Sequence, residues 1–167
     1  MFWARHHKED HLMHVLNQSK QGKLFTGSRV KVLMSGKDTG GQFCMMEFQG
    51  PAGRSTPMHV HDREEETVHV LEGQLEVTIG KENVLVGPGE TVLLRRHVPH
   101  RLATKGDVDA RYIVVCVPAG FDDFVEACAS EDDGSSEPSA PSAEDIERLK
   151  DQAPRFGITL LPPNASH

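Results

Sequence analysis

Histidines and glutamates are concentrated in one short stretch of the chain, HVHDREEETVH at residues 59–69. Imidazole nitrogens and carboxylate oxygens are common ligands of divalent first-row transition metals in proteins. The stretch is therefore either a metal site or a solvated polar loop. The direction in which each side chain points decides between these two interpretations.

Two of the histidines have the spacing that brings side chains to one face of a strand. In a β-strand, residues i and i+2 project to the same side, with their Cα atoms roughly 6.5–7 Å apart. His59 and His61 can therefore converge on one ion, while Met58 and Val60 face the opposite way.

One of the three consecutive glutamates is predicted to accompany them. In the strand that follows, Glu66 shares its face with Val68 and Val70. A carboxylate on an apolar wall is costly unless it is paired or bound to a cation, so Glu66 is predicted to point inward as a ligand. A one-residue bulge would replace it with Glu65 and His69. Without that bulge, the side chains expected in turns or on the outer surface are Glu64, Glu65, His69 and Glu72.

The fourth predicted ligand is a histidine from a later strand. His97 and His100 both follow the stretch GPGETVLLR at residues 87–95. Val98-Pro99 breaks the chain, so we expect His97 in a turn facing solvent and His100 at the start of a new strand. The combination favours a metal site over a solvated surface. Its predicted ligands are His59, His61, Glu66 and His100.

The elements that position these residues are predicted to be short strands. Between Lys23 and Pro118, apolar or alternating runs are separated by turns that contain glycine or proline. The predicted strands are 29–34, 42–49, 57–61, 66–71, 74–79, 83–86, 91–95, 100–104 and 110–117. Regular short strands with such turns indicate an all-β antiparallel sandwich or barrel. No long helical pattern interrupts them, which disfavours a parallel α/β sheet.

A helix is predicted after the strands, within residues 119–129. Apolar residues recur there at helical intervals, which indicates an amphipathic helix packed on the barrel. These residues are Phe121, Phe124, Val125 and Cys128.

The chain is predicted to fall into five segments. Residues 1–22 form an N-terminal arm, 23–118 the barrel and 119–129 the packed helix. Residues 130–142 are acidic and rich in serine and proline, which predicts a flexible linker. Residues 143–167 are predicted to form a second helix, with Ser142 as its N-cap, and an extended tail.

Length and composition limit the classes of protein. A chain of 167 residues is expected to hold one domain that buries roughly 70% of its unfolded surface. The net charge of −7 argues against binding of nucleic acid, because no basic stripe is available to contact the phosphates. Cys44, Cys116 and Cys128 are widely spaced without a CxxC pattern, so they are expected to be thiols in a reducing compartment. No apolar run has the length of a signal peptide or a membrane span, so we expect a cytoplasmic protein without a membrane partner.

The N-terminal arm carries four further histidines, His6, His7, His11 and His14. In a helix, three of them would share one face that could bind a metal. The segment is terminal and bears lysine, so solvated or dimer-packing residues are the favoured interpretation.

The sequence around the predicted site resembles two known motifs. GRSTPMHVHDREEETVHVLEG, residues 53–73, is similar to the first cupin motif, G-x5-H-x-H-x4-E-x6-G. The motif positions are filled by Gly53, His59, His61, Glu66 and Gly73. GPGETVLLRRHVPHRL, residues 87–102, resembles the second motif, with His100 as its histidine. The chain therefore resembles single-domain cupins (monocupins), in particular those grouped with quercetin 2,3-dioxygenase.

This resemblance implies a fold and a chemistry. The fold is the cupin double-stranded β-helix, a jelly-roll barrel, with short helices near its C-terminal end. The cofactor is one divalent ion (Fe, Mn, Ni, Co, Cu or Zn), and Glu66 is the catalytic proton acceptor. The expected enzyme is a quercetinase-like oxidoreductase, a dioxygenase that uses dioxygen and a small phenolic or enolic compound. A homodimer is also expected, since cupins of this size commonly pair through sheet edges.

Two alternatives to the dioxygenase are retained. One is a non-redox metal-dependent isomerase, lyase or cyclase, and the other is a cupin that binds a small ligand without turnover. In each case apolar residues near the ligands would receive the apolar body of the small molecule. These are Met46, Phe48, Val68, Val70, Leu102 and Phe121. For Phe121, Phe124 and the Met45–Phe48 stretch, plain core packing is the simpler interpretation.

Overall fold

The computed structural model of the protein describes residues 22–132, 134 and 137–162. The predicted N-terminal arm therefore lies outside the described residues, apart from Gly22, and so do His6, His7, His11 and His14. The described residues form two antiparallel sheets and two α-helices.

The strands are numbered here in chain order. They are β1 (Lys23–Phe25), β2 (Ser28–Met34), β3 (Cys44–Gly50), β4 (His59–His61), β5 (Glu65–Glu72), β6 (Leu75–Ile79), β7 (Glu82–Val86), β8 (Thr91–Leu94), β9 (His100–Thr104), β10 (Ala110–Val117), β11 (Ser130–Glu131) and β12 (Ile158–Leu160). The larger sheet has the order β11-β1-β2-β3-β10-β5-β8, and the smaller sheet has the order β12-β4-β9-β6-β7. The predicted all-β jelly-roll architecture is confirmed.

Side-chain alternation places the core between the sheets. In β3 and β10 every second residue is buried, beginning with Cys44 and Ala110. This is the period of two that a strand with one covered face requires. In β5 the same alternation buries Val68 and Val70. Each strand therefore presents a fixed set of residues to the interior.

Strand β4 has only three residues and is paired on both of its edges. On one side, His59 lies opposite His100 of β9. On the other side, Ile158 and Leu160 of β12 lie opposite His61 and His59. The C-terminal segment, which was expected to run extended along the body, is thus a strand that holds β4 in place.

The first helix, α1 (Phe121–Cys128), packs on the sheets as predicted. The four residues that gave the helical pattern are all buried in the core. Asp122 is buried too, and its carboxylate accepts the backbone N–H groups of Gly36 at 2.8 Å and of Gly120 at 3.1 Å. These bonds tie the start of α1 to the loop that follows β2.

The second helix, α2 (Ala143–Gln152), begins with the predicted N-cap. The hydroxyl of Ser142 accepts the backbone N–H of Asp145 at 3.1 Å, and the Ser142 N–H donates to the Asp145 carboxylate at 2.9 Å. This reciprocal pair is a capping box. A short 3-10 helix, Ala153–Phe156, follows and leads into β12.

The first two residues of the predicted linker belong to the larger sheet, which the polar composition of the linker did not indicate. Ser130 and Glu131 form β11, which pairs with β1. Strand pairing uses backbone groups, so a polar composition does not prevent it at a sheet edge. Lys23 also donates to Glu131 at 2.8 Å. The flexibility of the remaining linker stays a prediction.

The three cysteines are free and buried. Cys44 and Cys116 lie opposite each other in the β3–β10 pairing. The hydrogen bond between the two thiols lowers the pKa of Cys44, whereas the same bond and burial raise the pKa of Cys116 well above its usual value. Among the described residues, no helix has the length and apolarity needed to cross a membrane.

Candidate metal centre

Three of the four predicted ligands are carried by two neighbouring strands of the smaller sheet. His59 and His61 are the first and last residues of β4, and His100 is the first residue of β9. Their exposed fractions are 8%, 0% and 1%. The ring centroids lie 4.4 to 5.4 Å apart. The i, i+2 spacing therefore brings both β4 histidines to the same interior point.

The fourth predicted ligand, Glu66, comes from the facing sheet. It lies on β5, is 3% exposed, and is paired with Cys116 of β10. The register shift in this pairing falls at Arg111 and Tyr112, several residues away. The bulge that would have exchanged the inward side chain is therefore not present at Glu66, and its carboxylate points into the core.

The four side chains converge on one point. One ligand atom from each residue lies within 4.8 Å of the others. The Oε2 atom of Glu66 is 3.5 Å from Nε2 of His61 and 3.5 Å from Nε2 of His100. Two donors that are each about 2.1 Å from one ion lie at most about 4.2 Å apart. The separations in the cluster are therefore close to those expected for four donors around one ion.

Several atoms of this cluster have no hydrogen-bond partner. In the described part of the chain, Nε2 of His61, Nε2 of His100 and Oε2 of Glu66 are all buried and unpaired. Buried polar atoms are normally satisfied, and an exception indicates an ion or a water. Imidazole nitrogens with a carboxylate oxygen form a donor set that suits a divalent transition metal. The buried cluster could therefore hold such an ion.

Two of the histidines are oriented by backbone carbonyls. Nδ1 of His59 donates to the carbonyl of Pro57 at 2.8 Å, and Nδ1 of His100 donates to that of Val98 at 2.9 Å. A carbonyl oxygen only accepts, so Nδ1 carries the hydrogen in both rings. Nε2 then presents a free lone pair to the centre of the cluster, which is the form that a metal ligand requires.

Glu64 is a residue whose role the sequence interpretation missed. A turn or the outer surface was expected for it, and it does lie between β4 and β5, but its exposed fraction is 1% and its carboxylate is buried. Its Oε2 atom accepts the Nδ1–H of His61 at 3.2 Å. Such a carboxylate fixes the ring of a metal-binding histidine and raises its basicity. The signal that could have revealed it is a carboxylate three residues after a ligand histidine, within a tight turn.

The N-terminal end of α1 provides the space for Glu64. Gly120 precedes this helix with φ 147°, and a Cβ atom there would lie 3.0 Å from Oε1 of Glu64. The ring of Phe121 packs edge-on against His61, with centroids 5.2 Å apart. The start of α1 therefore contacts both members of the His61–Glu64 pair.

Burial and close neighbours set the protonation of the cluster. Burial, with the nearby His100 and His61, lowers the pKa of His59 to about 3, so this ring is neutral at pH 7. Burial alone would raise the pKa of Glu66, but the adjacent imidazoles outweigh it and lower this pKa to about 2. Burial opposes protonation of His100, yet the Glu66 carboxylate raises the pKa of that histidine. An ionised carboxylate among imidazoles is a charge arrangement that attracts a cation.

The predicted pocket residues divide into two groups. Phe48, Leu102 and Phe121 line a cavity of about 30 Å³ that also contacts His59 and Glu66. Met46, Val68 and Val70 are 0% exposed and belong to the hydrophobic core. Phe124 packs against Phe121 in that core. The immediate surroundings of the cluster are therefore apolar.

The remaining polar residues of the region face outward, as predicted. His97 lies in the turn before β9 with 69% of its side chain exposed. His69 bonds Thr91 at the surface, and Glu65 pairs with Arg96. None of these three acidic or imidazole side chains belongs to the buried cluster.

A family model and a curated relative match this chain. The model described as Cupin domain matches residues 46–116, which include all four clustered residues. Quercetin 2,3-dioxygenase of Bacillus subtilis (strain 168) is 25% identical over 154 residues, covering 90% of this chain and 44% of the relative. The chain spans about half the length of the curated relatives that it matches.

Solved structures with the same architecture include two proteins of different chemistry. The polyketide cyclase RemF from Streptomyces resistomycificus is 25% identical, with a TM-score of 0.55, over 64% of this chain and 80% of that one. A predicted oxalate decarboxylase from Thermotoga maritima is 18% identical, with a TM-score of 0.57, over 63% of this chain and 99% of that one. The latter similarity concerns the fold alone.

Proposed function

We propose that this chain, which carries one cupin domain of the cupin superfamily, is a metal-dependent enzyme that acts on a small organic molecule. The observation that carries the proposal is the buried cluster of His59, His61, Glu66 and His100. A buried carboxylate with unpaired imidazole nitrogens costs stability unless it binds a cation. Such an arrangement is typical of a functional site rather than of a core.

Within the cluster, the histidines would bind the metal and the glutamate would transfer a proton. A divalent first-row ion, whether Fe, Mn, Ni, Co, Cu or Zn, would supply Lewis acidity and, if it is redox-active, a route to dioxygen. His59, His61 and His100 would hold this ion through Nε2. Glu66 is ionised at pH 7 and can accept a proton at Oε2 from a phenolic or enolic hydroxyl. Phe48 and Leu102 would exclude water.

The finer proposal is a dioxygenase for a small phenolic or enolic compound, with a flavonol as the first substrate to test. The similarity to the Bacillus quercetin 2,3-dioxygenase supports it, because this similarity covers nine tenths of the chain. The apolar surroundings of the cluster also suit the removal of a hydroxyl proton away from bulk water.

A second candidate is a non-redox enzyme in which the metal acts only as a Lewis acid. The 25% identity to the polyketide cyclase RemF favours this candidate. Glu66 would again move a proton, but dioxygen would not be consumed. Ligand binding without turnover would use the same residues, and the same experiment distinguishes it.

The test is oxygen uptake by protein loaded separately with each metal, in the presence of a panel of flavonols. We expect uptake with at least one metal, and we expect His59→Ala and His100→Ala to abolish it. His97→Ala serves as the control, because this histidine is exposed in a turn outside the cluster. Turnover without uptake would favour the non-redox enzyme, and tight binding without chemistry would favour the binding protein. A protein that takes up no stoichiometric metal after reloading would contradict the central proposal.

A homodimer and a cytoplasmic location are further proposals. Strands β7 and β8 end the two sheets in the described part of the chain, and they carry the exposed residues Val84, Leu85 and Leu93. Open edges with apolar side chains invite pairing with another chain. The location is supported by the free thiols, which are typical of reducing compartments. Sedimentation of the purified protein tests the dimer.

A further inference from the structure

The cavity beside the clustered ligands is too small for an organic substrate. Its volume is about 30 Å³, and one water molecule occupies about 30 Å³ of the liquid. Sites that bind small molecules usually have volumes of about 300–1,000 Å³. The body of a substrate must therefore lie elsewhere while its reacting end reaches His59 and Glu66.

Two further cavities share lining residues with this inner cavity and lie between it and the surface. A middle cavity of about 40 Å³ shares Phe25, Thr26 and His59 with the inner one. A surface groove of about 660 Å³ shares Phe25, Leu149 and Leu160 with the middle one. The three spaces thus follow one another from a clustered histidine to the surface, and Phe25 borders all of them.

The walls of the groove are mostly apolar. Helix α2 contributes Ile146 and Leu149, strand β12 contributes Leu160, and the β1–β2 turn contributes Thr26. Ile146 is 42% exposed, whereas Leu149 is 8% exposed and faces the core. The lining also includes hydroxyl groups and the charged residues Asp145 and Lys150. A mostly apolar groove with a few polar groups suits a largely apolar ligand.

We propose that this groove is the outer part of the substrate site and that the substrate reaches the cluster past Phe25 and Leu149. The proposal rests on the proposed function of the metal centre. The ligand class that fits is a small, largely apolar molecule with a hydroxyl-bearing end. Its apolar body would occupy the groove, and its hydroxyl would approach Glu66 through the two small cavities once the side chains between them change rotamer. Quercetin is the probe because the proposed function names a flavonol as the first substrate to test.

Protein loaded with Co²⁺ offers a direct test, because the visible absorption of bound Co²⁺ reports on its ligands. The probes are the flavonol quercetin and azide, an anion small enough to need no groove. Two substitutions change the groove at an exposed position, where folding is least affected: Ile146→Trp narrows it, and Ile146→Glu places a charge on its wall. The matched control is Val108→Trp, since Val108 is 63% exposed in the loop between β9 and β10 and does not line the groove.

Quercetin should change the Co²⁺ spectrum of the unmodified protein and of Val108→Trp at the same concentrations. Both Ile146 variants should bind it about tenfold more weakly, the loss expected when about 1.4 kcal/mol of contact is removed. Azide should change the spectra of all four proteins equally, which shows that the centre itself is intact. Circular dichroism checks that each variant is folded.

Equal quercetin affinity in all four proteins would overturn the groove as a substrate site and leave the metal function standing. Failure of the unmodified, Co²⁺-loaded protein to bind quercetin would also overturn it. Quercetin that binds, as measured by its own absorption shift, without any change at Co²⁺ would overturn the connection to the centre. A protein that takes up no Co²⁺ would instead contradict the proposed function. In that case, the quercetin affinities of the metal-free unmodified protein and variants still show whether the groove binds this class of ligand.

Discussion

His61 differs from the other clustered histidines in the group that holds its Nδ1–H. Backbone carbonyls hold His59 and His100, whereas the Glu64 carboxylate holds His61. A carboxylate acceptor draws the ring proton more strongly and makes Nε2 a better electron donor. The three imidazoles are therefore not equivalent, and His61 is expected to contribute most to metal affinity.

Glu64→Ala should weaken metal binding about 10–100-fold, the usual effect of losing such an outer partner. Glu64→Gln can still accept the His61 hydrogen through its amide oxygen and should retain most of the affinity. Competition with a chromophoric chelator measures both for Zn²⁺. Glu65→Gln is the matched control, because its carboxylate faces outward to Arg96. An alanine variant with unchanged affinity would exclude this role for Glu64.

The convergence of the four clustered side chains could be predicted from the sequence because they lie on strands. His59, His61 and Glu66 follow from a period of two residues, and the polar or apolar character of their neighbours decides which parity faces inward. Glu64 lies between β4 and β5, where no period applies. Only the folded chain brings its carboxylate back to His61.

At the scale of elements, the N-terminal end of α1 is the part that supports the centre from outside the barrel. Gly120 has a positive φ and leaves room for Glu64, while Phe121 packs on His61. The helical pattern predicted that α1 packs on the sheets. It did not predict the contact with Glu64. That contact depends on the backbone conformation of Gly120, where the helix begins, rather than on the apolar face of the helix.

Gly120→Ala should lower the free energy of unfolding of the metal-free protein by about 1–3 kcal/mol, because its backbone conformation disfavours a Cβ atom. It should also weaken metal binding, since that Cβ atom would displace the Glu64 carboxylate. Urea denaturation and chelator competition measure the two effects. Gly53→Ala is a useful comparison, because its φ is 72° and nothing lies within 4 Å of its Cβ position. That variant should lose stability alone, and equal loss of metal affinity in both would argue against the Glu64 contact.

The capping box of α2 gives a prediction about stability and pH. Ser142→Ala should cost about 1 kcal/mol, which urea denaturation can detect. Hydrogen bonds from Ser142 lower the pKa of Asp145 below its ordinary value of 3.8. A lowered carboxyl pKa stabilises the fold above the ordinary value, and this contribution is lost as the pH falls through the lowered one. The difference between wild type and variant should therefore be constant above about pH 5 and shrink as the pH falls below 3.8. A constant difference would show that the hydroxyl acts without the carboxylate.

At the scale of the whole molecule, the cluster joins the two sheets. Its three histidines come from β4 and β9 of the smaller sheet, and Glu66 comes from β5 of the larger one. An ion bound there would connect the sheets through their interior. The general fold could be predicted from the strand pattern, but the pairing of β12 with β4 could not, since it joins segments that are distant in the chain.

Metal binding should therefore stabilise the folded protein as a whole. At a free Zn²⁺ concentration 100 times the dissociation constant, the free energy of unfolding should rise by about 2.7 kcal/mol. Urea denaturation with Zn²⁺ and with a chelator measures the change. The double variant His59→Ala/His100→Ala should lose it, whereas His69→Ala/His97→Ala should keep it, because both of those side chains lie outside the cluster. The same rise in the first double variant would place the ion elsewhere, with the N-terminal histidines as the next residues to replace.

The pairing of β12 with β4 also determines how far this protein can be shortened. Residues 46–116 contain all four clustered residues but neither α1 nor β12. In a chain that stopped before Ile158, the backbone of β4 would have one unpaired edge beside His59 and His61. A fragment limited to residues 46–116 would thus retain all four clustered residues but lose the strand that pairs with β4 and holds His59 and His61 in position. The smallest unit expected to hold an ion extends through Leu160.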